Sequence, residues 1–184
     1  MQFVIVKIGI ATLITGSERD EVLRYWDIFE KEYNSIGVRS CDHPNLGFQG
    51  GDCSNLDFLK DELSNLCNII SPFEIIVDGF GYFEAPSKVV YLQVMKTNEL
   101  IEIHKEINII LSKSCISTFQ YYTPEYWVPH ITLAMDDLSE TSFDTFKKRH
   151  KDTSPSFNQT ISNLALVEFK DNGLVELLQR YEIK

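Results

Sequence analysis

Pro129-His130-Ile131-Thr132-Leu133-Ala134 is the stretch that decides how this chain is read. On a strand, side chains at i and i+2 share a face, so His130 and Thr132 point one way and Ile131 and Leu133 the other. One face offers an imidazole beside a hydroxyl; the opposite face is apolar and packs. A proton-transfer group then stands next to a donor that can reach a phosphate oxygen, both on a rigid element. Upstream, His43-Pro44-Asn45-Leu46 repeats the frame of His, one residue, a polar residue and Leu. The chain has four histidines, His43, His104, His130 and His150, and two of them open such a frame, about half the chain apart. Brought together, the two frames make a two-histidine site suited to phosphoester chemistry.

The neighbours of these frames fix the element types. Tyr121-Tyr122-Thr123-Pro124-Glu125-Tyr126-Trp127 is an aromatic loop leading into the His130 strand, and Tyr122, Tyr126 and Trp127 are candidates to stack on a base. Asp136-Asp137 closes that strand. Ser139 caps a short helix to about Arg149, whose Lys147-to-Lys151 basic run suits a helix C-terminus. Before His43, residues 3 to 14 read as a buried strand. A helix capped by Ser17 then carries Val22, Tyr25, Trp26, Phe29 and Tyr33 at helical spacing, and Gly37 ends it. Residues 38 to 49 are extended around the first frame, and Gly47, Gly50 and Gly51 loosen the chain after it.

Ser54 or Asn55 caps a second helix, with Leu56, Leu59, Leu63, Leu66 and Ile70 on one stripe and Pro72 stopping it. Residues 73–83 and 88–95 form two strands joined at Glu84-Ala85-Pro86-Ser87, with a bulge expected at Asp78-Gly79. Thr97 or Asn98 caps a third helix, on which His104 serves packing or the helix surface. A closing hairpin turns at Asp171-Asn172-Gly173. The expected order is β-α-β-α-ββ-α-β-α-ββ, in one domain over residues 1–184 with no linker.

Composition narrows the partners. The 184 residues include 17 Lys+Arg against 27 Asp+Glu, a net charge of −10. A broad duplex-binding face needs cationic neutralisation of phosphates, so the charge argues against extended nucleic acid and favours a small nucleotide or RNA end. No apolar run spans a membrane. The start, Met1 to Lys7, lacks a basic region and a cleavage site and reads as strand. Cys41, Cys53, Cys67 and Cys115 form no metal-ligand spacing, and a reducing cytoplasm suits free thiols. Cys41 falls on the same expected face as His43. No metal, no cofactor and a monomer are expected.

With these motifs in view, the chain resembles the two-histidine (2H) phosphoesterase superfamily, the LigT-like or 2′-5′ RNA ligase-like family. Pro129-His130-Ile131-Thr132-Leu133 is similar to the family's second His-x-Thr motif, and Phe73 to Phe80 with Val89 to Leu92 resembles its middle hairpin. The resemblance implies a bilobal α+β fold, with two antiparallel sheets around a central groove and helices outside. It implies metal-independent cleavage of phosphodiesters such as 2′,3′-cyclic phosphates or 2′-5′ linkages. The first motif departs from the pattern: Asn45 stands where the family usually has Thr or Ser, and Pro44 is unusual between His and the polar residue.

The residue chemistry agrees with that resemblance. Two imidazoles can supply base and acid near neutrality without metal. His43 and His130 are the catalytic candidates, and Asn45 and Thr132 the phosphate-binding ones. The assignment of acid and base stays open. Two other readings remain beside phosphodiester cleavage. In one, the groove holds a nucleotide without turning it over; in the other, an interaction domain has structural histidines.

Overall fold

The computed structural model describes residues 4–184; Phe3, where the first strand was expected to begin, lies outside them. The elements are β1 (Val6–Leu13), α1 (Gly16–Tyr33), β2 (Asn45–Cys53), α2 (Leu56–Ile69), β3 (Phe73–Phe83), β4 (Val89–Val94), α3 (Asn98–Ser114), β5 (Cys115–Thr118), β6 (His130–Ala134), α4 (Glu140–Arg149), β7 (Ser156–Ile161), β8 (Asn163–Phe169) and β9 (Val175–Glu182). Strands run antiparallel in the order β7-β3-β4-β6-β2-β1-β8-β9, with β5 beside β2. The expected α+β architecture is present, but the two sheets are joined. β2 and β6 share a single residue pair among the described residues, Leu46 with Ile131. On either side of that seam the ladders are longer, four pairs between β4 and β6 and eight between β1 and β2.

Helices cover the sheet where its apolar side chains face them. Phe29 of α1 stacks on Phe146 of α4 at 4.7 Å, and Phe80 of β3 meets Phe146 edge-on at 5.1 Å. Thus α1 and α4 close over the β3-β4-β6 half. α2 and α3 pack against each other and against β2, β8 and β9 on the other half. Side chains of Asn55, Thr97 and Ser139 accept N–H bonds at the starts of α2, α3 and α4, as their sequence positions indicated. α1 differs. It begins at Gly16, Ser17 bonds Glu18 instead of capping, and Asn34 ends the helix in a left-handed conformation at φ 52°. Gly37 instead opens a 3-10 turn, Gly37–Ser40.

Two strands went unread in the sequence, β5 and β7, and β2 extends through glycines expected to loosen the chain. These glycines are sites of close approach: a Cβ on Gly51 would overlap the Ser117 carbonyl, and one on Gly50 would strike Ile8 and Phe119. The bulge expected at Gly79 is present, at φ 85°, where the β3–β4 register shifts.

One buried amide ties β1 to β8. Asn163 Nδ2 donates to the Leu13 carbonyl at 3.1 Å, and its Oδ1 accepts the Leu13 N–H at 2.9 Å. Asn163→Ala strands both backbone groups in an enclosed site, so we expect a loss of roughly 1–3 kcal/mol, read as a lowered urea midpoint at unchanged slope.

Candidate functional site

The seam between β2 and β6 carries the site. Continuing the Leu46–Ile131 register by one residue each way sets Asn45 across from Thr132 and Gly47 across from His130. Leu46, Ile131 and Leu133 point into the core and are fully buried. The alternate side chains therefore share the opposite face. Gly47 has a steric reason to be bare: a Cβ there would lie 3.3 Å from the Tyr122 ring.

A ladder one pair long leaves backbone carbonyls beside it without strand partners. The chain's two tryptophans take them. Trp26 Nε1–H, from α1, donates to the Thr132 carbonyl at 3.0 Å, and Trp127 Nε1–H donates to the Gly47 carbonyl at 3.0 Å.

Two cavities open on this face, of about 290 and 330 Å3. Asn45 lines the first and His130 the second, while Thr132, Tyr122 and Met135 line both. They form one groove with Thr132 at its middle. The first cavity is walled by β1, β2 and β8, and a bridge between Cys41 and Val175 closes this curled half.

His130 is half-buried against Phe83, Tyr91 and Tyr122. Its Nδ1 lies 2.7 Å from the Val128 carbonyl. A carbonyl only accepts, so Nδ1 carries the proton and Nε2 of the neutral ring keeps its lone pair. Burial holds this imidazole below its ordinary pKa, and the Val128 bond offsets part of that effect.

His43 lies in a bend two residues ahead of β2, not in a strand, and it is absent from the walls of both cavities. Pro44 has no N–H to offer a ladder, which places the strand start after it. Asn45 reaches back to this bend: its Nδ2 donates to the His43 carbonyl at 2.9 Å and lies 3.7 Å from Cys41 Sγ. Replacing the usual hydroxyl by an amide thus gives the bend a brace. The Cys41 thiol, pushed up in pKa by burial, donates to the same carbonyl at 3.4 Å.

The aromatic loop divides. Tyr122 is half-buried on the groove, and Tyr121 and Tyr126 are exposed along the second cavity. Trp127 must be removed from the candidates for base stacking. It is 2% exposed, its ring stacks on His104 at 3.9 Å, and its N–H is committed to Gly47. His104 is itself buried, with Nε2–H donated to the Tyr122 carbonyl at 2.9 Å, so α3 pins the loop from beneath. Burial lowers its pKa as well.

Several groove residues carried no functional signal in the sequence. Phe119 and Phe169 lie far from both frames, and Met135 and Asp136 read only as the end of a strand. Asp137 acts away from the groove. Its carboxylate accepts the Ile36 and Gly37 N–H groups and the Ser35 hydroxyl, fixing the α1–β2 connection to the end of β6. Among the described residues no group of His, Cys, Asp and Glu is placed to hold a metal, and no helix is long and apolar enough to cross a membrane.

The sequence and the fold have counterparts. A relative from Staphylococcus epidermidis, named "Putative phosphoesterase SERP0604", is 25% identical over 166 residues, covering 89% of this chain and 90% of its own. The fold is similar to that of TT0787 from Thermus thermophilus, with a TM-score of 0.64 at 13% identity over 96% of this chain and 97% of that one. It is also similar to E. coli LigT solved with 3′-AMP, with a TM-score of 0.62 at 17% identity over 98% of each chain. The family model described as the 2′-5′ RNA ligase superfamily matches residues 44–173. That span holds Asn45, the seam, the aromatic loop and the whole His130 strand, and by it the chain belongs to the 2′-5′ RNA ligase superfamily.

Proposed function

We propose that this protein is a phosphodiesterase that cleaves a small nucleotide or RNA end, such as a 2′,3′-cyclic phosphate or a 2′-5′ linkage, by acid/base chemistry. The single observation that carries the reading is His130. It is a neutral imidazole with its Nε2 lone pair free, beside the Thr132 hydroxyl, on the wall of an aromatic groove. In this reading His130 takes the proton from the attacking hydroxyl or water as the phosphorus–oxygen bond forms. We assign the proton for the leaving oxygen to His43, which Asn45 holds through its backbone carbonyl only and whose imidazole must turn in from outside both cavity walls to deliver it.

The Thr132 hydroxyl donates to a non-bridging phosphate oxygen and offsets charge that grows there in the transition state. Asn45 supplies a second donor. One of its N–H groups serves His43, and the contact near the weakly accepting Cys41 sulfur is easily exchanged for a phosphate oxygen. Tyr122 and Tyr126 stack on the base. LigT was solved with 3′-AMP, ATP and NADP+, and those nucleotide complexes on a similar fold support a small nucleotide ligand. The acidic chain points the same way.

The test is a panel of 2′,3′-cyclic and 2′-5′-linked nucleotides, with the position of the product phosphate read by NMR. Turnover is expected to be unchanged by EDTA, since two imidazoles supply both proton transfers; a stoichiometric metal required for activity would overturn this mechanism. One substitution favours a second reading: Asn45 replaces a hydroxyl. If wild type and Asn45→Thr both bind nucleotides but neither turns any over, the groove is a nucleotide-binding site and the enzyme reading fails.

A further inference from the structure

The groove has two arms of similar size, and its charge is unusual for a site that handles phosphates. The first cavity is lined by the rings of Trp26, Phe119 and Phe169, the second by Phe83, Tyr121 and Tyr126. Among the described residues, no Lys or Arg lines either cavity, and the one carboxylate is Asp136, in the second. Cations do stand near the first arm. Lys7 Nζ lies 5.5 Å from the Phe119 ring, and Arg39 lies over Trp26, where Asp27 and Glu30 neutralise it. Thr132 and Tyr122, shared by both arms, mark where a single phosphodiester would sit.

We infer that the substrate is a phosphodiester with an uncharged, ring-bearing group on each side, a dinucleoside monophosphate, and that Asp136 turns away any further phosphate from the second arm. This rests on the phosphodiesterase reading and narrows it. Rings bury well against aromatic walls at both ends. A terminal phosphate brought into the second arm meets the exposed Asp136 carboxylate, a like charge with no Lys or Arg on the same wall to offset it, and is disfavoured there. A cyclic mononucleotide fills one arm only and forgoes the binding energy of the other, which depresses kcat as well as affinity.

Asp136 lies in the left-handed region at φ 67°, a conformation that Asn also tolerates, so Asp136→Asn removes the charge and keeps the backbone. The experiment compares kcat/KM for 2′-5′-linked adenylyl adenosine, the same molecule with a 5′- or a 3′-terminal phosphate, and adenosine 2′,3′-cyclic phosphate. The unphosphorylated dinucleotide is expected to exceed the cyclic mononucleotide, and at least one phosphorylated form, by about tenfold or more. Asp136→Asn should recover most of the loss on that phosphorylated form, narrowing the ratio of parent to phosphorylated kcat/KM by about fivefold or more. Equal turnover of all dinucleotides, or a cyclic mononucleotide that matches them, overturns the inference and leaves the phosphodiesterase reading standing. Failure of the wild type to cleave any of the four overturns both.

Discussion

His130→Ala is expected to lower kcat/KM on the best substrate of the panel by about 100-fold or more, close to 2.7 kcal/mol of transition-state stabilisation. The loss should fall mainly on kcat, because the proposed phosphate donors, Thr132 and Asn45, remain. The pH dependence sharpens the test. A base must be unprotonated, so activity rises with pH as His130 sheds its proton. Burial lowers its pKa, which places that rise below the ordinary imidazole range and leaves His130 ready at neutrality. A variant without His130 that keeps near-wild-type kcat, or one whose acidic limb stays in place, removes this residue from the chemistry.

The second large effect is on stability. Trp127→Ala is expected to cost about 3–5 kcal/mol in denaturant unfolding. The indole packs at 5.9 Å from Phe48, stacks on His104 and is overlaid by Lys96 at 5.6 Å. Its removal opens a cavity and leaves the Gly47 carbonyl without its donor. Tyr126→Ala is the control: Tyr126 is 53% exposed, so its loss should weaken nucleotide binding and spare the fold. Unchanged stability with weakened binding in Trp127→Ala would return Trp127 to the stacking set.

The contrast between Trp127 and Tyr126 also shows where sequence reading runs out. Both sit in one aromatic loop, and nothing local separates them. The separation comes from His104, on a helix that the loop meets only after folding. The His130 strand was legible because alternation and burial agree residue by residue: Ile131 and Leu133 are buried, while Thr132 and His130 reach the groove. The β3–β4 hairpin and three helix caps were legible for similar local reasons. β7 was not, since Ser156, Asn158 and Thr160 give its exposed face the composition of a loop. In β2, glycine signalled looseness, whereas here it lets neighbouring backbones approach. Asn45 shares the groove face with Thr132, but its grip on His43 depends on a bend that Pro44 imposes and that the extended reading of residues 38–49 missed.

Both indoles of the chain donate at the same seam, Trp26 from a helix to β6 on its own side and Trp127 from a loop across to β2. The protein therefore carries a built-in optical reporter. Emission from each ring depends on the hydrogen bond at its N–H and on nearby water, and the rings have no third tryptophan to dilute them. Trp26 also forms part of the first cavity's wall. A nucleotide seated against that wall changes its emission directly, while any parting of β2 from β6 breaks the Trp127 bond to Gly47 and shifts that ring's spectrum to the red. Ligand binding and breathing of the sheet can thus be followed in the unlabelled protein, as separable changes in intensity and in wavelength.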